Sequence, residues 1–322
     1  MTHRIFTILI TWLCSCGLAP AADSIEFELS TAPGRLRILI GGQEALVYHY
    51  GTNWDLPHFY PVRSPSGKSM TVEKPGPYPH HRSFWFADTV QLEGHRQASF
   101  YNALYSGRGD KQDPQPPFRD HIRQVSLTVP DNPATAHKRV LITQLIWEMD
   151  DGKVSVLDET RRLIITALAN GEYFLDLEFT LVANYGAVTF QSDAVHYAWP
   201  FIRLNQDFNA SAGGALVNSE GGRGEADTNM KIARWVDFSR GRGATAEGLA
   251  MFSHPANEQP HQWLTRDYGC FGPRRIAAKS GKPFILSRGE KISTRVGVLV
   301  HRGDVQSGQV AERYQLYAKG EL

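Results

Sequence analysis

The sequence predicts a large all-β fold, an antiparallel β-sandwich with a short C-terminal helix. Three observations carry that expectation. Tyr173, Leu175, Leu177, Phe179 and Leu181 alternate with Phe174, Asp176, Glu178, Thr180 and Val182, the period of two of a strand with one buried face. Asp150-Asp151-Gly152 and Asn170-Gly171 stand between long β-rich runs, where tight hairpins need residues that tolerate positive φ. Convincing helical spacing appears only near the end, in Val310, Tyr314 and Tyr317.

The elements follow in order. Residues 1–21 read as a secretory signal: Met1-Thr2-His3-Arg4 is basic, Ile5 to Leu18 is apolar, and Ala19-Pro20-Ala21 offers a cleavage site before Ala22-Asp23. The apolar run is shorter than the roughly 20 residues a spanning helix needs. Residues 22–322 are then one domain with no transmembrane segment, secreted or periplasmic. Leu13-Cys14-Ser15-Cys16 resembles a lipoprotein box, and anchoring through Cys16 is the less favoured reading. Strands are predicted over Arg35–Ile40, Ala45–Tyr50, His121–Val129, Arg139–Met149, Val154–Leu168, Ala194–Leu204 and Ile292–His301. Asn209–Asn229, rich in Gly, Ala and Ser, reads as a long loop. Asp304 is the expected cap of a helix reaching Ala318.

Composition excludes several functions. The chain has 322 residues, 34 Lys+Arg against 33 Asp+Glu, and 42% apolar residues. That is enough apolar mass for a core, with no basic field for nucleic acid. Only Cys270 remains after the signal, so no intramolecular disulfide is expected, and its surroundings suggest an inert thiol. Neither G-x-S-x-G nor a Walker loop occurs, and the histidines match no standard metal spacing.

Two polar-aromatic constellations stand out. The first is Pro75-Gly76-Pro77-Tyr78-Pro79-His80-His81-Arg82-Ser83-Phe84-Trp85-Phe86. If extended, it points His80 and Arg82 to one face and His81 and Ser83 to the other. The second runs from Phe252 to Gly269 and holds His254, Asn257, His261, Trp263, Arg266, Asp267 and Tyr268. Planar polar groups that bridge hydroxyls, beside aromatic rings that stack on C–H faces, are the equipment for holding a sugar. A weaker third group is Asp193, His196 and Arg203, and Glu93, Glu220 and Glu225 are possible acids.

Pro79-His80-His81-Arg82-Ser83-Phe84-Trp85-Phe86, with Tyr60-Pro61-Val62, Ala233-Arg234-Trp235-Val236-Asp237-Phe238, His254-Pro255-Ala256-Asn257 and Arg266-Asp267-Tyr268-Gly269, resembles the PmoA-like family of exported bacterial proteins. Members often carry the label "methane oxygenase", which sits badly with a strand-rich chain. The resemblance implies a galactose-mutarotase-like supersandwich, whose enzymes commonly set histidine and carboxylate over a sugar ring. On that basis His81, His254 and Asp267 are the expected catalytic groups. His80, Arg82, Trp85, Asn257, His261, Trp263, Arg266 and Tyr268 are expected to bind the ligand. The expected function is metal-independent, cofactor-free acid/base chemistry of epimerase, lyase or hydrolase type on a small carbohydrate. The alternatives are a non-catalytic carbohydrate-binding protein and a metal-dependent oxidative enzyme. The two constellations are expected to line one cleft; oligomeric state is not legible.

Overall fold

The computed structural model describes residues 23–30, 32–130, 135–191, 198–258, 261–275 and 284–322. The signal segment, Cys16, Asp193 and His196 lie outside the described residues.

Two eight-stranded antiparallel sheets form the body. The first runs β1 (Ile25–Leu29), β2 (Arg35–Ile40), β3 (Gln43–His49), β4 (His58–Val62), β5 (Phe84–Trp85), β13 (Phe201–Arg203), β18 (Cys270–Arg274) and β17 (Gln262–Thr265). The second runs β14 (Ala215–Asn218), β15 (Trp235–Arg240), β16 (Glu247–Ser253), β20 (Lys291–Arg302), β11 (Tyr173–Val182), β10 (Val154–Ala167), β9 (Lys138–Met149) and β8 (His121–Thr128). A smaller sheet joins β19 (Phe284–Leu286), β12 (Val188–Phe190), β6 (Thr89–Leu92) and β7 (Gln97–Ser99).

The period-two reading of 173–182 holds. Leu175, Leu177 and Phe179 enter the main core, while Phe174 faces the opposite way into a separate cluster. Hairpin chemistry holds too: Asp150, Asp151 and Gly152 take φ of 57°, 60° and 78°, and Met149 pairs with Val154 across the turn. The tight reversal needs that left-handed backbone, which Asp and Gly tolerate.

Cross-strand partners share a face of a sheet. In the first sheet the pairs His49–His58, His58–Trp85 and Trp85–Phe201 therefore lie on one side, joined two residues on by Arg203 and its partner Cys270. Phe59, Phe84, Ile202 and Phe271 occupy the other side, facing the second sheet, where Phe271 meets Phe238 at 4.8 Å between ring centroids. One contiguous apolar core runs through both sheets, from Ile25 to Val300.

Two helices matter. The first, α1 (Gly224–Thr228), with β14, breaks what the composition suggested was a long loop over 209–229. The second, α2 (Val310–Lys319), starts later than expected. Asp304 does not cap it: the Asp304 carboxylate accepts from the Gln306 and Ser307 backbone N–H groups and so closes the preceding turn. Val310, Tyr314 and Tyr317 dock with Phe174, Trp235, Phe252 and Leu299 on the outer face of the second sheet. The layers are thus a polar-aromatic face, the first sheet, the core, the second sheet and the helix. Among the described residues, no helix is long and apolar enough to cross a membrane.

Candidate functional site

The outward face of the first sheet gathers the aromatic and ionisable side chains of β5, β13 and β18. Trp85 stacks on Phe201 with centroids 4.9 Å apart. The residues before β5 do not run extended as expected. The Tyr78 N–H donates to the Pro75 carbonyl and the His81 N–H to the Tyr78 carbonyl, so Pro75–His81 folds as turns. The turns bring neighbouring imidazoles together: the His80 and His81 rings meet edge to face at 4.7 Å.

A column of flat groups results. His81 lies 5.6 Å from Trp85, Tyr78 stacks across His81 at 4.9 Å, and Tyr268 stacks on Tyr78 at 5.5 Å. The guanidinium of Arg203 closes the column, 4.2 Å from the Tyr268 ring. His81 Nε2 shares a 2.9 Å hydrogen bond with the Tyr101 hydroxyl, and His80 Nδ1 shares one of 3.1 Å with Tyr105. Along this column His81, Trp85, Tyr101 and Arg203 are buried, Tyr268 is half-buried, and Tyr78 and Tyr105 are exposed at the rim. Burial pushes the Tyr268 phenol up to about 12, with Cys270 and Tyr78 adding to it. Cys270, under the column, is itself pushed up to about 12 by burial, Arg203 pulling weakly the other way, so its thiol is inert.

Arg82 is not in this column. Its guanidinium is 0% exposed, pairs with the buried Asp55 carboxylate and also donates to the Pro79 carbonyl. It braces the turn from below. Ser83 likewise donates inward to Thr71.

The second constellation divides into three places. Arg266 and Asp267 bracket Glu225 of α1. Arg266 donates to Glu225 Oε1 at 3.1 Å, the Asp267 N–H donates to Oε2, and Asp267 Oδ1 accepts the Glu225 N–H at 2.8 Å. The bracket fixes the loop that presents Tyr268. Trp263 is fully buried and donates to the Ala233 carbonyl, while His261 is buried against Ser253. Burial drives His261 down to about 4, Glu258 opposing and Arg275 assisting. It lines a small concavity with Glu258, Arg275 and Trp199.

His254 lies beyond the second sheet, and Asn257 sits at the end of β16, where it also donates to Ser253 Oγ. Asn257 donates to the Arg295 carbonyl and accepts from its N–H, a backbone clamp. The His254 ring meets Tyr317 of α2 at 5.2 Å and receives Arg295 Nη1 at 3.3 Å, Arg295 being held bidentately by Asp176. Burial, then Arg295, lowers the His254 pKa. Two sheets and the core therefore separate His254 from His81, and the expected single cleft is not formed. Of the possible acids, Glu93 and Glu220 are solvent-exposed and Glu225 serves the bracket.

Sequence reasoning missed a second cluster on the same face as Trp85. His49 and His58 stack at 5.1 Å, Trp54 meets His58 edge-on at 4.9 Å, and Glu73 pairs with His58 Nε2. Burial raises the Glu73 carboxyl, but the His58 hydrogen bond and charge outweigh it and hold it at about 2. Tyr101 was missed as well. The missing signal was register: His58 and Trp85 are 27 residues apart and meet only as cross-strand partners. Among the described residues, no group of three or more His, Cys, Asp or Glu side chains is arranged to hold a metal ion.

A family model described as a family of unknown function, DUF6807, matches residues 35–315. No curated protein sequence matches the chain. Among solved structures, the chain is similar to the GH36 alpha-galactosidase AgaA from Geobacillus stearothermophilus, at 11% identity and a TM-score of 0.48, covering 88% of this chain and 42% of that one. AgaB from the same organism gives 9% identity and a TM-score of 0.49 over 88% and 42% of the two chains. An alpha-galactosidase from Lactobacillus brevis gives 7% and 0.45 over 84% and 40%. The chain spans less than half the length of these galactosidases.

Proposed function

This chain belongs to the DUF6807 family, whose function is unknown, and we propose an activity from the site itself: an exported protein that binds a sugar derivative at the Trp85–His81–Tyr78–Tyr268–Arg203 column and performs proton transfer on it through His81. The observation that carries the reading is the His81–Tyr101 hydrogen bond of 2.9 Å set inside that column. Flat rings match the C–H face of a sugar, and the imidazole is a group that gives or takes a proton near neutral pH. Tyr101 holds the ring and relays the proton, orienting the imidazole toward a ligand carbon or glycosidic oxygen. Tyr78 lies across His81, so ligand entry displaces Tyr78, the exposed member of the column.

The roles once expected of His254 and Asp267 pass to Tyr101 and Arg203, because His254 packs on Tyr317 of α2 beyond the second sheet and Asp267 anchors α1. The PmoA-like resemblance agrees with export. His81→Gln is expected to lower turnover of a sugar acid, glycoside or keto-sugar substrate by about 10²-fold or more with little change in binding. Tyr101→Phe should lower it less. The protein is taken from the export compartment, where intact mass should give a start at Ala22 or Asp23. If His81→Gln turns over substrate like the parent, the reading is wrong. If sugars bind but none reacts, the protein is a non-catalytic carbohydrate binder.

A further inference from the structure

Arg203 differs from three other buried arginines of this fold. Arg82 pairs with Asp55, Arg161 with Glu159, and Arg275 with Glu258 at 3.0 Å. Each of these three guanidinium groups thereby meets a carboxylate, which offsets the cost of taking the charge out of water. Arg203 is only 7% exposed, yet among the described residues no carboxylate pairs with it. Its electrostatic neighbours are Cys270, Tyr268, Tyr78 and Tyr101. One Nη1 hydrogen bond, to the Tyr268 carbonyl, uses one of its five donors. Nε is buried with no hydrogen-bond partner among the described residues.

Packing alone does not account for this. A side chain serving only to brace Tyr268 could do so without a charge, and an unmatched buried cation weakens the fold. The guanidinium also stands at the end of the same column that holds His81, on the outward face of the first sheet. Resting on the reading above, we infer that Arg203 receives the carboxylate of an acidic sugar, so that the ligand class is uronic acids or their glycosides. The free Nε edge offers the planar fork that fits a carboxylate with two parallel hydrogen bonds. The ligand ring then lies on Tyr268 where Tyr78 is displaced, and its carboxylate supplies the counter-charge that the described residues do not provide.

The test compares affinities of the purified protein for galacturonate and glucuronate with those for galactose, glucose and 6-sulfogalactose, by calorimetry in one buffer. The uronates are expected to bind about 10-fold or more tighter than the neutral sugars. Arg203→Gln is expected to abolish that preference, and Arg203→Lys to retain part of it. Because the preference is measured in the parent, loss of folding in a variant does not protect the inference. Equal affinity for uronates and neutral sugars overturns it and leaves the sugar reading standing. Tighter binding of the sulfated sugar than of the uronates overturns the carboxylate assignment. No binding by any of the sugars overturns both the inference and the reading beneath it.

Discussion

Arg82 and Arg203 are 0% and 7% exposed, and both belong to segments that the sequence marks as polar and aromatic. Their partners separate them. Arg82 spends its charge on Asp55 and an Nη1 donor on the Pro79 carbonyl of the turn that shapes Pro75–His81. Arg82→Ala is therefore expected to act through the fold, leaving Asp55 buried without its cation and lowering stability by about 3–5 kcal/mol. Denaturant titration checks this. An unchanged midpoint with weakened ligand binding would return Arg82 to the ligand site. Asn257 and Trp263 are similar cases: polar or aromatic, placed in a loop-rich segment, and occupied with backbone groups.

At the level of elements, register and turns made the site. Phe84 and Trp85 form a strand of two residues, yet their pairing with β4 and β13 aligns His58, Trp85 and Phe201. The turns over 75–81 then fold His81 and Tyr78 back over Trp85. On the far side of the molecule, α2 docks where β20 keeps Gly297. A Cβ there would come within 2.4 Å of the Phe174 ring and 3.3 Å of Tyr317. Gly297→Ala is expected to push Phe174 out of its seat, at a cost of about 1–3 kcal/mol. Hydrogen exchange should speed up in 310–319 first. Equal exchange in the variant and the parent would mean that this contact does not hold the helix.

For the whole molecule, buried histidines set opposing pH limits. His49 and His261 are each lowered from 6.5 to about 4, mainly by burial, His58 adding to the effect on His49. Protonation then favours the unfolded chain, so stability present above pH 6.5 is lost as pH falls toward 4, by up to about 3 kcal/mol per group. Glu73 extends the loss below 4.5, because its folded value is about 2. His301 runs the other way. Burial lowers it, but the Asp237 carboxylate at 2.9 Å outweighs burial and raises its pKa. Its contribution is complete below 6.5 and fades as pH rises through the folded value. Urea unfolding across pH is expected to give maximal stability near 6.5, with His261→Gln flattening the acid limb. A monotonic rise from pH 4 to 9 would contradict the Asp237–His301 part.

The sequence alone determined the strand class, the hairpins and the terminal helix, because each rests on a local period or on backbone freedom within a few residues. Tyr173–Val182 and Asp150-Asp151-Gly152 needed no distant partner to be recognised. It also marked His80, His81, Trp85 and Tyr268, whose density in short segments is local information. Which of the marked residues meet was decided by the tertiary structure. His254 and Tyr268 are close in sequence, but the alternation of β16 sends His254 outward to α2, while the bracket on Glu225 sends Tyr268 to the opposite layer. His49, His58 and Tyr101 carry no local signature, and Arg203 only the weak one it shares with Asp193 and His196, because cross-strand register and burial give them their partners, and both are sums over residues far apart in the chain.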